Sequence, residues 1–212
     1  MSIEALQKIY ALYDEAAAAF PASCRPACAR CCTDRVSLTT LEGRLLADFI
    51  EKNRRDDLLA RLAGSPPSWR PRSTVNALVL DFLCRRDSPA EEDGAPPGRC
   101  ALLSGELCSV YPARPMSCRV MISNKTCEEG GLAEMDPEAL SMNQVFLQAV
   151  EHLDQAGFSG SLGDVMAFLA EPPDGAAAVR LLHNRPMPGL PIPLEHRDRL
   201  APVVDALQRI LK

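Results

Sequence analysis

Eight thiols gathered in two short stretches are the residues of this chain best able to do chemistry. Cys24, Cys28, Cys31 and Cys32 fall within nine residues, and Cys100, Cys108, Cys118 and Cys127 form a second run. Only Cys84 lies outside both. Sulfurs this dense serve either a metal or a disulfide framework, and a total of nine suits disulfides poorly. The first residues carry an early acid, Glu4, and no apolar stretch of a signal peptide. No apolar run is long enough to span a bilayer. The expected compartment is the cytoplasm, where thiols stay reduced and are free to ligate metal. Cysteines three or four residues apart in a turn can converge on one point, and Cys24, Cys28 and Cys31 meet that requirement. Cys31 and Cys32 are neighbours whose side chains are expected to diverge, which gives Cys32 to a second site or to the core. The four distant cysteines then complete one or two sites.

The elements that must position these loops read as helices. With 212 residues the chain can bury an apolar core without needing a metal merely to fold. Its net charge is −5 and it has no Lys/Arg run, which argues against a nucleic-acid partner. Apolar residues recur at helical spacing from Ser2 to Phe20, with Ser2 as cap. Thr39 and Glu42 form a capping box for a helix running to about Leu62, with a possible break at Asn53 to Asp57. Val75 to Leu83 is read as a short helix, and 86–99 as an acid-, Pro- and Gly-rich loop. Asp136 caps a helix to about Gln155. Short helices are expected at Ser161 to Leu169 and Gly175 to Leu182, an extended proline loop over 185–193, and a closing amphipathic helix from Glu195 to Leu211. The fold class is mainly α: a small helical domain with irregular cysteine-rich metal-binding loops and a helical C-terminal extension. The expected spans are 1–130 for the cysteine-cluster domain and 131–212 for a helical region packed on it.

The second stretch reads Cys100-Ala-Leu-Leu103, then Cys108-Ser-Val110-Tyr111-Pro-Ala-Arg114-Pro115-Met-Ser-Cys118-Arg119. Together with Cys31-Cys32 followed by Val36-Ser-Leu-Thr39-Thr-Leu-Glu42, it resembles the YkgJ-like cysteine-cluster family of the CxxCxxCC type, described as zinc- or iron-chelating domain proteins. The interval from Cys24 to Cys28 is one residue longer than that pattern. The resemblance covers Cys24 to Cys127 and implies a metal-ligand role for the eight matching cysteines; it implies no catalytic role. Larger relatives of that family include methylases that carry an iron–sulfur centre. An iron–sulfur cluster, 4Fe-4S, is therefore favoured over zinc as the cofactor, since three close thiols suit a cubane. The implied activity is electron transfer, metal handling or a cluster-dependent modification. The alternative is a zinc-binding structural, storage or interaction module without turnover. The partners expected are the metal ion or cluster and a possible protein partner, with no membrane.

The remaining residues carry weaker signals. Cys84 closes an apolar run and is expected to be buried as a small hydrophobe. Tyr111, Arg114 and Arg119 lie among the cysteines and serve either to tune sulfur or to hold the loop. His152, His183 and His196 have no metal spacing with one another. Glu91 to Asp93 reads as a solvated acidic loop. No P-loop, dinucleotide fingerprint or Ser/His/Asp arrangement is present.

Overall fold

Ser2 opens the first helix by accepting the Ala5 amide on its hydroxyl, and α1 runs Ile3–Ala17. The computed structural model describes residues 2–25, 27–64, 69–90, 96–127, 133–170 and 180–212. After the first cysteine loop comes β1 (Ser37–Thr39) and then α2 (Thr40–Lys52), entered through the complete Thr39/Glu42 capping box. The chain breaks at Arg54, held at φ 53°, and resumes as α3 (Asp56–Ala63). Thr74 caps α4 (Val75–Leu83). The second cysteine stretch holds a small hairpin, β2 (Leu103–Ser104) and β3 (Leu107–Cys108), followed by a 3-10 turn over Tyr111–Ala113 and the single turn α5 (Met116–Arg119). The long α6 (Pro137–Leu153) begins at Asp136, as its capping chemistry requires. Then come β4 (Phe158–Ser161), α7 (Leu162–Ala170), β5 (Leu182–His183) and α8 (Leu194–Leu211), which accommodates Pro202 in its interior.

The protein is mainly α, and its cysteines lie in and around loops. Most of the expected helix held from Gly175 lies outside the described residues, as does Glu91 to Asp93; its described end, Leu182, is strand. A three-stranded antiparallel sheet in the order β1-β4-β5 was not foreseen. Its register pairs Ser37 with Ser161 and Ser159 with Leu182. Among the described residues no helix is long and apolar enough to cross a membrane.

Two cores hold these elements. The first joins Leu6, Ile9 and Tyr13 of α1 to Met142, Phe146 and Val150 of α6 and to Leu200 and Leu207 of α8. Tyr13 meets Phe146 edge to face at 5.1 Å, a pairing that contributes about 0.5–1.5 kcal/mol beyond its buried area. Residues from both 1–130 and 131–212 build this core. The second joins Leu46 and Ile50 of α2, Leu58 and Leu62 of α3, and Val165 and Met166 of α7, with Leu102, Val110 and Ala113 from the second cysteine stretch. Here α2 and α7 approach closely because residue 43 is glycine: a Cβ there would stand 2.7 Å from Val165 and 2.8 Å from Leu169.

Glu42 joins the cores. Its buried carboxylate accepts the Tyr10 hydroxyl at 2.8 Å, the Thr39 amide at 2.8 Å, the Thr39 hydroxyl at 3.2 Å and the Met116 amide at 2.7 Å. Burial is the largest influence on this carboxyl and raises it above the ordinary glutamate range, against the downward pull of its donors. Glu42→Gln should destabilise the protein by about 2–4 kcal/mol in denaturant titration, because an amide cannot accept from all these donors. A carboxyl raised in the folded state binds its proton more tightly there than in the unfolded chain. Its contribution therefore improves as pH falls from neutral through the raised value to the ordinary one, about 4.3, and is flat below. The wild-type advantage over Glu42→Gln should widen over that window; a gap that narrows on acidification would contradict the reading.

Candidate metal centre

The first cysteine loop is folded by its own backbone. Ala27 lies at φ 64°, a left-handed conformation that an alanine adopts only at a cost of about 1–2 kcal/mol, and it reverses the chain between Cys24 and Cys28. The Cys28 amide bonds the Arg25 carbonyl at 3.0 Å, and the Cys32 amide bonds the Ala29 carbonyl at 3.1 Å. The Thr33 amide then reaches back two residues to the Cys31 carbonyl at 3.0 Å, a γ-turn centred on Cys32. That turn corrects the expectation that Cys31 and Cys32 point apart. Their side chains hydrogen-bond each other, the Cys31 thiol is lowered chiefly by that bond, and Cys32 is raised by the same bond.

Two main-chain staples bring the second stretch onto the first. At one end the Cys100 amide donates to the Cys32 carbonyl at 3.1 Å, beside an antiparallel bridge between Thr33 and Arg99. Asp34 and Gly98 complete this staple, Asp34 N to Gly98 O at 3.0 Å and Gly98 N to the Asp34 carboxylate at 2.8 Å. At the other end the Ser23 amide donates to Ser123 O at 2.7 Å and its hydroxyl to Asn124 O at 2.9 Å, setting Cys24 beside the approach to Cys127. In between, the β2–β3 hairpin turns at Gly105, φ 59°, and pairs Leu103 with Cys108.

The sulfurs fall into two neighbourhoods. Burial raises Cys24, an amide bond from Ser123 opposes it, and Cys31, Cys28 and Cys127 add to the rise. Burial raises Cys118 strongly, and Cys100, Cys108, Cys31 and the Glu42 carboxylate push it further. Cys32 feels Cys118 and Cys100 besides Cys31. Cys100, Cys108 and Cys118 also lean against the second core. Two amides point at sulfur from two residues along the chain: burial raises Cys100 and Cys108, while the Leu102 N–H on Cys100 and the Val110 N–H on Cys108 pull them down. Such bonds favour the thiolate that a metal needs. Arginine helps in the same sense, Arg61 at Cys100 and Arg114 at Cys108. Arg61 stands on α3 and donates to the Leu103 carbonyl. No spacing rule ties it to a cysteine, and nothing in its neighbourhood along the chain marks it.

The other candidates separate from this group. Arg119 is a buried tie for the loop: it grips Asp14 at 2.9 and 2.7 Å, Pro112 O at 2.7 Å and Arg114 O at 3.1 Å, and lies 4.1 Å over the Tyr10 ring. Arg114 stacks 3.8 Å over Tyr111, which is exposed. Cys84 is exposed at the end of α4 beside exposed Phe82 and Leu83, correcting the expectation of a buried thiol. His152 accepts the Met187 amide at 3.2 Å, His196 meets Ser141 at 2.9 Å, and His183 packs 4.5 Å from Phe158.

Among the described residues no three His, Cys, Asp or Glu side chains close on one point at ion-binding distance. Cys24, Cys28, Cys32 and Cys127 instead border an open basin of about 620 Å³. An all-sulfur donor set supported by amide N–H groups fits a thiophilic metal.

A family model, CxxCxxCC, described as "Putative zinc- or iron-chelating domain", matches residues 23–137. The chain belongs to this family. No curated protein and no solved structure matches it.

Arg119→Lys should cost about 2–3 kcal/mol in chemical denaturation, because lysine cannot reproduce the forked contacts to Asp14 and two carbonyls. The exposed Arg30→Lys should stay within about 0.5 kcal/mol of wild type. Equal stability of the two variants would show that Arg119 does not hold the loop.

Proposed function

We propose that this member of the CxxCxxCC family holds metal on eight cysteines in two adjoining groups and works in metal handling or electron transfer. An outer group is Cys24, Cys28 and Cys127, which border the basin, with Cys31, which acts on Cys24. An inner group is Cys100, Cys108 and Cys118, which rest on the second core, with Cys32, which borders the basin and acts with Cys118 and Cys100. The observation that carries this reading is the pair of main-chain staples, Ser23 to Ser123 and Cys32 to Cys100, each bringing a cysteine of one stretch to the other. Metal chelation itself follows from the family.

Iron–sulfur is the favoured cargo. Cys24, Cys28, Cys32 and Cys127 border a hollow of about 620 Å³, room for a cluster larger than a single zinc ion. A cluster supplies one-electron chemistry when bound; the chain supplies thiolates, amide donors to sulfur, and Arg61 and Arg114 to offset their charge. A second reading, structural zinc in the inner group, is favoured by the enclosure of Cys118, since four thiolates around zinc leave no open position.

Protein purified without oxygen should be brown, absorb near about 400 nm and contain iron with acid-labile sulfide. Colourless protein holding zinc alone would overturn the iron–sulfur reading and leave the zinc one. Cys31→Ser should lower both metal content and stability, because metal binding is coupled to folding. Cys84→Ala should leave metal content unchanged. Equal metal loss in the two variants would refute the ligand assignment.

A further inference from the structure

The outer basin has a cationic mouth. Segments 23–35 and 97–127 carry seven Arg or Lys residues against two acids, in a chain of net charge −5. Most of these cations are engaged. Arg119 grips Asp14, Arg114 lies on Tyr111, Arg99 pairs with Glu106 at 2.6 Å, and Lys125 pairs with Glu134 at 2.7 Å. Arg35 also has partners. Arg25 and Arg30 differ. Both are exposed, both line the basin that Cys24, Cys28, Cys32 and Cys127 border, and neither side chain makes an ion pair or hydrogen bond among the described residues. Two unengaged guanidiniums beside thiols form a site for an anion, because each presents a planar fork matched to carboxylate or phosphate. The basin is concave and of small-molecule size, which suits a compact anion better than the surface of a folded protein.

We propose that the basin admits incoming metal as a small anionic chelate, with Arg25 and Arg30 holding the chelator's carboxylate or phosphate oxygens while the neighbouring thiols take the metal. This rests on the reading of the cysteines as metal ligands. In the transfer, metal–oxygen bonds to the chelator break and metal–sulfur bonds to the outer cysteines form. Each thiol proton passes to a freed carboxylate or to water, and the oxidation state of the metal does not change. The two arginines also raise the encounter rate with a negatively charged donor, an effect that added salt removes.

The test uses the full chain, metal-free and reduced, and two zinc donors: zinc with excess citrate, and the aquo ion. Uptake is followed by stopped-flow absorbance of zinc–thiolate bonds, with final stoichiometry from metal analysis. Arg25→Ser/Arg30→Ser should slow uptake from the citrate donor about tenfold or more and flatten its dependence on ionic strength. Uptake from the aquo ion and the final zinc content should stay within about twofold of wild type, and Arg25→Lys/Arg30→Lys should recover part of the citrate rate. A double Ser variant as fast as wild type with citrate would overturn the proposal. So would equal slowing with both donors, which would show that the arginines only favour thiolate. Wild-type protein that takes zinc from neither donor would overturn this proposal, whereas protein purified without oxygen that holds neither iron nor zinc would refute the metal-binding reading itself.

Discussion

The structure depends on one buried carboxylate. Glu42 stands in the first turn of α2, where it completes a capping box, yet its oxygens also take the Tyr10 hydroxyl from α1 and the first amide of α5 from the second cysteine stretch. A four-residue helix such as α5 cannot hold itself in place, since nucleating a single turn is unfavourable. It is held because its leading amide meets a charge-bearing acceptor, and because Arg119 at its end is fixed to Asp14 and stacked on Tyr10. The Cys118 helix is thus bound to α2 at its start and to α1 at its end. A terminal helix far away in sequence sets where one of the most enclosed sulfurs lies.

The first loop is held differently. Its contacts are almost wholly main chain: turns within 25–33, and the staples to 98–100 and 123–124. Backbone hydrogen bonds are indifferent to side-chain identity, so they leave the cysteine side chains free to face one another. They also spend amide donors that a buried irregular segment could not otherwise satisfy. One stretch is therefore anchored through side chains to the helical core, and the other is hung on the first by its backbone. The sulfur groups inherit that difference. Cys100, Cys108 and Cys118 rest on packed apolar residues, whereas Cys24 is exposed.

Much of this was legible in the sequence, for local reasons. The helices carry their own periodicity and caps: Ser2, Thr39 with Glu42, and Asp136 each do in the structure what their chemistry requires. The break after Lys52 was readable because Asn53 to Asp57 holds no apolar residue. The β1-β4-β5 sheet was not legible. Its central strand, Phe158–Ser161, is four residues long, contains Gly160 and lacks the alternation that marks a strand; it exists because β1 and β5 flank it. The direction of Cys31 and Cys32 depends on a γ-turn that no residue type announces. The exposure of Cys84 depends on which part of α4 the rest of the fold covers, a tertiary fact to which an apolar run is blind. Arg61 reaches Cys100 only because α3 folds back over the hairpin, and Arg119, expected either to tune sulfur or to brace the loop, braces it.

The γ-turn bears on how the two sulfur groups relate. Cys31 and Cys32 are joined by one peptide bond, and their side chains touch. On the proposed assignment one belongs to the outer group and the other to the inner. The backbone that carries them is closed on both sides, by the Thr33 amide on the Cys31 carbonyl and the Cys100 amide on the Cys32 carbonyl. The two groups are then not independent sites that happen to be close. Cys32 acts with Cys100 and Cys118, which lean on the second core, while Cys31 acts with Cys24 at the solvent side. The seam between sulfurs braced by packed apolar residues and sulfurs near solvent therefore falls at a single peptide bond.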